Sequence, residues 1–438
     1  MAERKGVAED LGSAALRSAW GFRIELASLA VLGGAWAALR LAAGVGALLA
    51  SVAVAVPVAG LVAWPVFRRF AWRQLRAANI RRRFAAGMTA AGFDPDVEGI
   101  PAVLRVTETA AGYALWVRVP RGSSAAQLEK AAETAAAAMG VAGLRVTRDR
   151  ANAALCTVAV VQRDPLAVTE PLPWPLADAA AFSLWEPVPV GVDEDGRPVT
   201  LRLPERNVLL GGEPGAGKSA ALSLMVAAAA LDPSVNLWLF DGKRVELAAW
   251  ASCAERLVGP DLAEAVDVLD SLRAEMDLRY AQLLAWGRRK VSPDDGLGLH
   301  VVVIDELALY LATGERKARD RLAESLRDLI ARGRAAGVIV LAATQKPSSD
   351  VVPTSVRDLF GFRWALRCAT REASDTILGS GWAAEGHSAA DIDPALRGVG
   401  LLLQEGGQPV RLRAAYLDDP TIARIAARAT GLRRGLEP

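Results

Sequence analysis

The fold of this chain is best predicted from one stretch, Asn207-Val-Leu-Leu-Gly211-Gly212-Glu213-Pro214-Gly215-Ala216-Gly217-Lys218-Ser219-Ala220. Its apolar start predicts a buried strand, and the alanine-rich run that follows Ser219 predicts a helix. Between them, Gly212 to Ser219 matches the pattern G-x-x-x-x-G-K-S of a phosphate-binding loop, in the strand-to-helix context that the motif requires. The stretch therefore predicts an α/β fold built around a P-loop.

The residue types of this loop are those that bind a nucleoside triphosphate. Glycines let backbone N–H groups wrap the phosphates, and the following helix adds the partial positive charge of its N-terminus. Lys218 is expected to reach the β- and γ-phosphates, and Ser219 is expected to ligate Mg²⁺. We therefore predict that ATP and Mg²⁺ bind here. The predicted binding residues are Gly212, Glu213, Pro214, Gly215, Ala216, Gly217, Lys218, Ser219 and Ala220.

A second apolar run, His300-Val-Val-Val-Ile304, is followed directly by Asp305 and Glu306. Such a run predicts a buried parallel strand that carries two acids to its carboxyl end, where ligands bind in open α/β sheets. Two acids after a strand are common and carry little information alone, but together with a P-loop they predict catalysis. Asp305 would hold Mg²⁺ through water, and Glu306 would act as general base on the attacking water.

Two more strands are predicted, over Val235–Phe240 and Gly337–Ala343, and the second ends close to Gln345. A polar residue at the tip of the strand beside the acidic strand can sense the γ-phosphate. Gln345 is therefore a candidate sensor, although such a residue by itself is more often a simple strand cap.

The basic run Arg316–Arg321 continues into a predicted helix, Leu322–Arg334, that has an apolar face and a basic face. The default interpretation of its charges is a solvated face. Arg332 and Arg334 are nevertheless placed to project toward a neighbouring subunit.

The composition favours a globular chain with a membrane segment, because apolar residues make up 52% and charged residues 23%. Between Arg23 and Arg68, only Glu25 and Arg40 are charged, so residues 24–67 are long enough for two membrane helices of ~20 residues each. Arginines flank both ends, and a hairpin keeps both flanks in the cytoplasm. We therefore predict a multi-pass protein of the cell membrane, with the rest of the chain in the cytoplasm.

The arginines after the hairpin leave two interpretations open, since they can bind lipid headgroups or contact nucleic acid directly. The total charge does not decide, with 51 basic and 49 acidic residues. Three widely spaced cysteines predict neither a disulfide framework nor a zinc site. The arginines in question are Arg68, Arg69, Arg73, Arg76, Arg81, Arg82 and Arg83.

The resulting organisation places a small α+β module before the motor domain. The predicted segments are a cytoplasmic tail (1–23), a transmembrane hairpin (24–67), a basic juxtamembrane linker (68–99), the α+β module (100–165), a proline-rich linker (166–199), the motor domain (200–417) and a C-terminal tail (418–438).

From about residue 186 to 417, the motifs resemble those of the FtsK/SpoIIIE family of membrane-anchored ATPases that pump double-stranded DNA. The most specific stretch is Ala343-Thr-Gln-Lys-Pro-Ser348 after the strand that follows the acidic one. A two-pass anchor, a small module and a single motor domain resemble the short conjugative, Tra-type members found in actinobacterial mobile elements. The other stretches that carry the resemblance are Gly212–Ser219, Phe240–Leu247, Val302–Leu307, Ala331–Val338 and Ser374–Gly379.

The resemblance implies a RecA-like motor that assembles as a homo-hexamer around double-stranded DNA, with an arginine supplied in trans to each nucleotide. Arg334 is the first candidate for this arginine and Arg332 the second. Conjugation and chromosome segregation are both open as the process served. Two other functions are also open, an ATPase that drives protein secretion and a membrane scaffold that binds ATP without hydrolysing it.

Overall fold

A computed structural model describes residues 72–95, 99–149, 151–167, 170–345, 347–348 and 353–434 of the chain. The predicted tail 1–23 and hairpin 24–67 lie outside these residues. Within the described part, no helix combines the length and the apolar character needed to cross a bilayer. A helix, α1, covers residues 72–90.

The chain divides into two compact units. The smaller sheet has four strands in the order β1-β2-β4-β3, and its helix α2 begins with a capping box at Ser124 and ends at Gly140, whose φ is 60°. The module is therefore of the α+β class. Its elements are β1 (Ala102–Glu108), β2 (Gly112–Arg118), α2 (Ala125–Met139), β3 (Gly143–Arg148) and β4 (Leu155–Val161).

The second sheet has ten strands in the order β6-β5-β14-β13-β12-β7-β11-β10-β8-β9. Strands from β12 to β9 run parallel, and those from β12 to β6 pair antiparallel. The strands are β5 (Val188–Asp193), β6 (Pro198–Leu201), β7 (Val208–Gly211), β8 (Asn236–Phe240), β9 (Arg256–Val258), β10 (His300–Ile304), β11 (Val338–Thr344), β12 (Phe362–Leu366), β13 (Val399–Gln404) and β14 (Val410–Ala414).

Helices cover both faces of this sheet, so its central strands are buried on both sides. The helices are α3 (Lys218–Ala230), α4 (Leu262–Ala285), α5 (Leu307–Ala312), α6 (Arg316–Ala336), α7 (Thr354–Arg357), α8 (Arg371–Leu378) and α9 (Asp419–Arg434). In β10, Val301 and Val303 pack into the core with α3, while Val302 and Ile304 pack into the core with α4 and α6. Burial on both faces explains why the strand is an uninterrupted apolar run.

Strand β7 lies at the point where the chain connections diverge. From β7 the chain crosses through α3 to β8 on one side, while β12 pairs with β7 on the other. In open α/β sheets, ligands bind outside the carboxyl ends of the strands at such a point. The loop after β7 therefore opens where a ligand site is expected.

The domain that contains this sheet extends beyond the predicted boundaries of 200 and 417, by a strand on one side and by a helix on the other. Residues 166–199 were predicted as an extended linker, but they contain β5, and Leu166 and Leu184 are fully buried. Residues 418–438 were predicted as a tail, but α9 buries Ile425 in the core beside α3. The prolines are compatible with the sheet because Pro198 is the first residue of the edge strand β6, where a ladder donor is dispensable.

Candidate nucleotide site

The loop between β7 and α3 follows a path that requires glycine. Gly215 and Gly217 have φ values of 80° and 103°, in the left-handed region that side chains disfavour. A Cβ on Gly217 would also lie 2.9 Å from Cα of Gly398. The glycines of the motif are therefore explained by backbone geometry and by close packing.

Lys218 is the first residue of α3, and its side chain points to the end of β10. Its Nζ donates to the backbone oxygen of Asp305 at 2.7 Å and to Oδ1 of the same residue at 3.0 Å. The two side chains are only 4% and 1% exposed. The structure thus joins the predicted lysine and the predicted metal-binding acid as one buried ion pair.

The second carboxylate oxygen of Asp305, Oδ2, is buried and has no hydrogen-bond partner among the described residues. A buried carboxylate oxygen without a partner is costly unless a ligand or water satisfies it. Asp305 therefore has one oxygen committed to Lys218 and one available for an incoming group.

Glu306 faces the tip of the adjacent strand, β11. Its Oε1 accepts from Oγ1 of Thr344 at 2.9 Å, and its two oxygens lie 3.2 and 3.1 Å from the backbone N of Gln345. The parallel register pairs Ile304 with Ala342, which brings the ends of the two strands together. The structure thus brings Glu306 and Gln345 into contact and adds Thr344, for which no role was predicted.

A cavity of about 500 Å³ opens over the loop. Of the nine predicted binding residues, Gly212 and Ala216 do not line it. Gly212 instead donates its N–H to the backbone oxygen of Thr344 at 3.3 Å, and the oxygen of Ala216 accepts from Gly398 N at 2.9 Å. The predicted residues that line the cavity are Glu213, Pro214, Gly215, Gly217, Lys218, Ser219, Ala220 and Gln345.

The remaining wall comes from segments that the sequence did not single out. They lie before β5 and around β13 and β14, far from the loop in sequence, so no local motif connects them to it. These lining residues are Pro171, Leu172, Arg397, Gly398, Arg413, Ala414, Ala415 and Tyr416.

The donors present suit a magnesium ion that takes most of its ligands from phosphate and water. Within the described part of the chain, no three His, Cys, Asp or Glu side chains are arranged so that they could hold a metal ion by themselves. Mg²⁺ commonly uses one or two protein oxygens together with substrate phosphates. The hydroxyl of Ser219 and the unpartnered Oδ2 of Asp305 fit this pattern.

The loop after β8 lies at the same edge of the sheet. The buried carboxylate of Asp241 accepts from the backbone N of Lys243, Arg244 and Leu247 at 3.1, 2.8 and 2.8 Å. Arg244 has a φ of 58°, so these hydrogen bonds hold an uncommon turn. Asp241 therefore holds the backbone of this loop in place, while the side chains of Lys243 and Arg244 are exposed.

Tyr310 packs beside this loop as a neutral hydrogen-bond donor. Burial raises the pKa of its hydroxyl, and the charges of Asp241 and Asp305 raise it further. The protonated hydroxyl donates to the backbone oxygen of Gly259 at 2.9 Å. Tyr310 therefore supports the site rather than carrying charge in it.

The two arginines predicted to act in trans lie at the far end of α6, at the opposite edge of the sheet. Arg334 Nε donates to the backbone oxygen of Glu205 at 2.6 Å. Arg332 pairs with Asp328 at 2.9 Å and also with Asp277. Within one chain, neither contributes to the cavity, and both already have acidic or carbonyl partners.

Residues 177–300 match the FtsK/SpoIIIE family. The DNA translocase FtsK of Pseudomonas aeruginosa is 28% identical over 276 residues, which is 55% of this chain and 33% of that protein. The DNA translocase SftA of Bacillus subtilis is 29% identical over 256 residues, covering 54% of this chain and 26% of that protein. The chain thus spans about a quarter to a third of the length of these curated relatives.

Two solved structures share the fold. The conjugation coupling protein TcpA of pCW3, solved as a monomer with ATPγS, has a TM-score of 0.55 at 18% identity, over 81% of this chain and 99% of that one. ATPases 2 and 3 of EssC from Geobacillus thermodenitrificans have a TM-score of 0.50 at 14% identity, over 61% of this chain and 52% of that one. The predicted α/β architecture of a P-loop ATPase is confirmed by this likeness.

Proposed function

We propose that this chain, a member of the FtsK/SpoIIIE family by its match over residues 177–300, hydrolyses ATP and uses the energy to move double-stranded DNA. The family inferred from the motifs is confirmed by the profile match and by the curated relatives. The observation that carries the proposal is the buried Lys218–Asp305 pair, whose second carboxylate oxygen has no partner, beside a Glu306 held by the tip of β11.

Each residue of this arrangement has a role in hydrolysis. Backbone N–H groups of the loop and Lys218 would bind the phosphates, and Ser219 and Asp305 would hold Mg²⁺, which neutralises phosphate charge when bound. Glu306 would accept a proton from the attacking water as general base. Gln345 would sense the γ-phosphate, because its backbone is hydrogen-bonded to that base and its side chain lines the cavity.

The DNA substrate rests on the relatives, two of which are named DNA translocases. TcpA is named a conjugation coupling protein, which favours conjugative transfer over chromosome segregation for this chain, in line with the resemblance to short Tra-type members. Secretion of protein remains the competing function, and the response to DNA separates the two.

Membrane anchoring and ring assembly complete the proposal. The apolar residues 24–67 with arginines on both flanks support a multi-pass anchor in the bacterial cell membrane. A homo-hexamer would place an arginine in trans at each nucleotide. Arg334 and Arg332 stay the candidates, and either would have to exchange its present intrachain partners for the neighbour's phosphate.

The decisive experiment measures phosphate release by the purified full chain, with and without duplex DNA, beside Glu306→Gln. We expect duplex DNA to stimulate hydrolysis, and the substitution to lower the rate by about 10²–10⁴-fold while ATP still binds, because only the base is lost. Glu315→Gln is the matched control, since Glu315 precedes α6 and lies outside the cavity lining.

Each outcome separates one hypothesis from the others. If duplex DNA does not change the rate of phosphate release, the result contradicts DNA translocation and favours protein secretion. A wild-type chain that binds ATP without releasing phosphate would support the scaffold. Unchanged hydrolysis in Glu306→Gln would remove Glu306 as the base.

A further inference from the structure

The residues that line the cavity over the phosphate loop come from two parts of the domain. The loop contributes Lys218 and Ser219, with Gln345 from the adjacent strand tip. Segments distant in sequence contribute the rest, among them Pro171, Leu172 and Tyr416 and the two arginines Arg397 and Arg413. At about 500 Å³, the cavity lies within the ~300–1,000 Å³ of typical ligand pockets, so it has room for more than the phosphates.

The part of the lining that contains Leu172 and Tyr416 is formed by two segments far apart in sequence, which are joined by backbone hydrogen bonds. Tyr416 N donates to the oxygen of Leu172 at 2.8 Å, and Tyr416 and Pro173 form an isolated parallel bridge. The preceding residue, Ala415, donates to the oxygen of Val190 on β5 at 2.9 Å. The position of Tyr416 is thus fixed by pairing on both sides.

The segment that pairs with Tyr416 is itself anchored to the ATPase core. The indole Nε1 of Trp174 donates to the oxygen of Pro189 at 2.8 Å, and Trp174 is 3% exposed. Tyr416, in contrast, is 48% exposed. An aromatic residue that lines the cavity, is half exposed, and has its backbone held by hydrogen bonds is suited to stacking against a flat ligand.

We infer that Tyr416, with Pro171 and Leu172, forms the subsite for the base of the bound nucleotide. The inference rests on the proposed binding of ATP, since Lys218 fixes the triphosphate end and the base must then occupy the rest of the cavity. Among the described residues that line the cavity, Tyr416 is the only aromatic one. Replacing an aromatic side chain that stacks on a base by alanine typically weakens binding about 5- to 150-fold.

The test compares a ligand that has a base with one that lacks it. The full chain is titrated with ATP and with inorganic tripolyphosphate, both with Mg²⁺. Tyr416→Ala is expected to raise the Kd for ATP about tenfold, which corresponds to about 1.4 kcal/mol, and to leave the Kd for tripolyphosphate within about twofold. Tyr416→Phe keeps the ring and is expected to bind ATP like the wild type.

Trp286→Ala is the matched control, because Trp286 is 47% exposed and follows α4 at the opposite edge of the sheet. An unchanged ATP affinity in Tyr416→Ala would overturn the base subsite, as would an equal loss for ATP and tripolyphosphate. A wild-type chain that binds neither ligand would overturn the proposed function itself, so the two failures are distinguishable.

Hydrogen exchange gives a second measurement that needs no variant. Leu172 and Tyr416 line the cavity, so their amides are expected to exchange several-fold more slowly with ATP than with tripolyphosphate, because only ATP brings a base against them. Equal protection by both ligands would contradict the subsite. The C-terminal residues of α4 lie outside the cavity lining and serve as the internal reference.

Discussion

The two edges of the parallel sheet each carry a buried polar side chain, and these two side chains, Asn207 and Asp305, differ in how completely they are hydrogen-bonded. At the amino edge, Asn207 donates to the oxygen of Ile330 at 2.9 Å and accepts from Val340 N at 2.8 Å. At the carboxyl edge, Oδ2 of Asp305 is buried and unsatisfied among the described residues. For this pair, burial is the same and the difference lies in hydrogen bonding: Asn207 is structural, while Asp305 keeps one oxygen that a ligand can satisfy.

Arg279 makes the contrast sharper, because it is a fully buried cation with a structural role. Its NH1 donates to the oxygens of Gly298 and Ala336 at 2.7 and 3.1 Å, and its Nε donates to Glu275 at 3.0 Å. It joins the end of α6 to the start of β10. Lys218 is equally buried, yet its partner Asp305 keeps an oxygen available.

The largest expected effect is the loss of stability in Arg279→Met. The substitution removes the donor to the buried oxygen of Ala336 and to the partly buried oxygen of Gly298, so the free energy of unfolding should fall by about 3–5 kcal/mol. The measurement is a urea titration followed by circular dichroism. ATP affinity of the folded protein should be unchanged, because Arg279 does not line the cavity.

Arg332→Ala is the control on the same edge. Arg332 is 45% exposed in its ion pairs with Asp277 and Asp328, so its removal should cost about 0–1 kcal/mol. Equal losses in the two variants would contradict the view that burial makes the difference.

The elements at the carboxyl edge could be predicted because their signals are local. The loop before Lys218 is set by closely spaced glycines, and the parallel-strand rule places Asp305 and Gln345 at one edge. Thr344 was missed as a partner of Glu306, since a threonine that ends an apolar strand carries no motif of its own. Its hydroxyl can be assigned only once the register of β10 and β11 is known.

The far wall of the cavity could not be predicted, because it is formed by long-range antiparallel pairing. Strand β5 joins the sheet through β14, and the bridge from Pro173 to Tyr416 connects residues at opposite ends of the domain. The prolines between 165 and 198 dominate the local signal and suggested a linker. Strand-edge positions tolerate proline, so composition alone could not distinguish a linker from an edge strand.

The next prediction, smaller in size, is that a bound nucleotide stabilises the folded chain. A non-hydrolysable ATP analogue with Mg²⁺, at a hundred times its Kd, should raise the free energy of unfolding by about 2.7 kcal/mol, because it binds only the folded state. Lys218→Ala should abolish this gain through loss of the phosphate contact. Thermal or urea unfolding with and without the analogue measures it.

Lys290→Ala is the matched lysine at the amino edge, where Lys290 pairs with Glu205 at 2.5 Å and is 57% exposed. This variant should keep the full gain from the analogue. A Lys218→Ala chain that is still stabilised by the analogue would show that the ligand binds elsewhere.

The smallest expected effect concerns His300, at the amino edge. Burial first, and then the charge of Arg279, lower the pKa of its imidazole to about 3. Trp238 Nε1 lies 3.0 Å from its Nδ1 and Arg279 NH2 lies 2.7 Å from its Nε2, so a protonated ring would turn N–H groups toward two donors. Glu275, at 3.9 Å and half exposed, does not offset this.

The sign of the pH dependence follows from these contacts. Between an unfolded pKa near 6.5 and the folded value of about 3, the unfolded chain binds the extra proton, so stability falls as pH falls through that window. From pH 6 to pH 5, the free energy of unfolding should drop by about 1 kcal/mol through His300 alone. His300→Gln cannot titrate and should lose correspondingly less in urea titrations at the two pH values. If the free energy of unfolding falls equally in the wild type and in His300→Gln, the acid sensitivity is due to carboxylates. His300 would then have the same pKa in the folded and unfolded states.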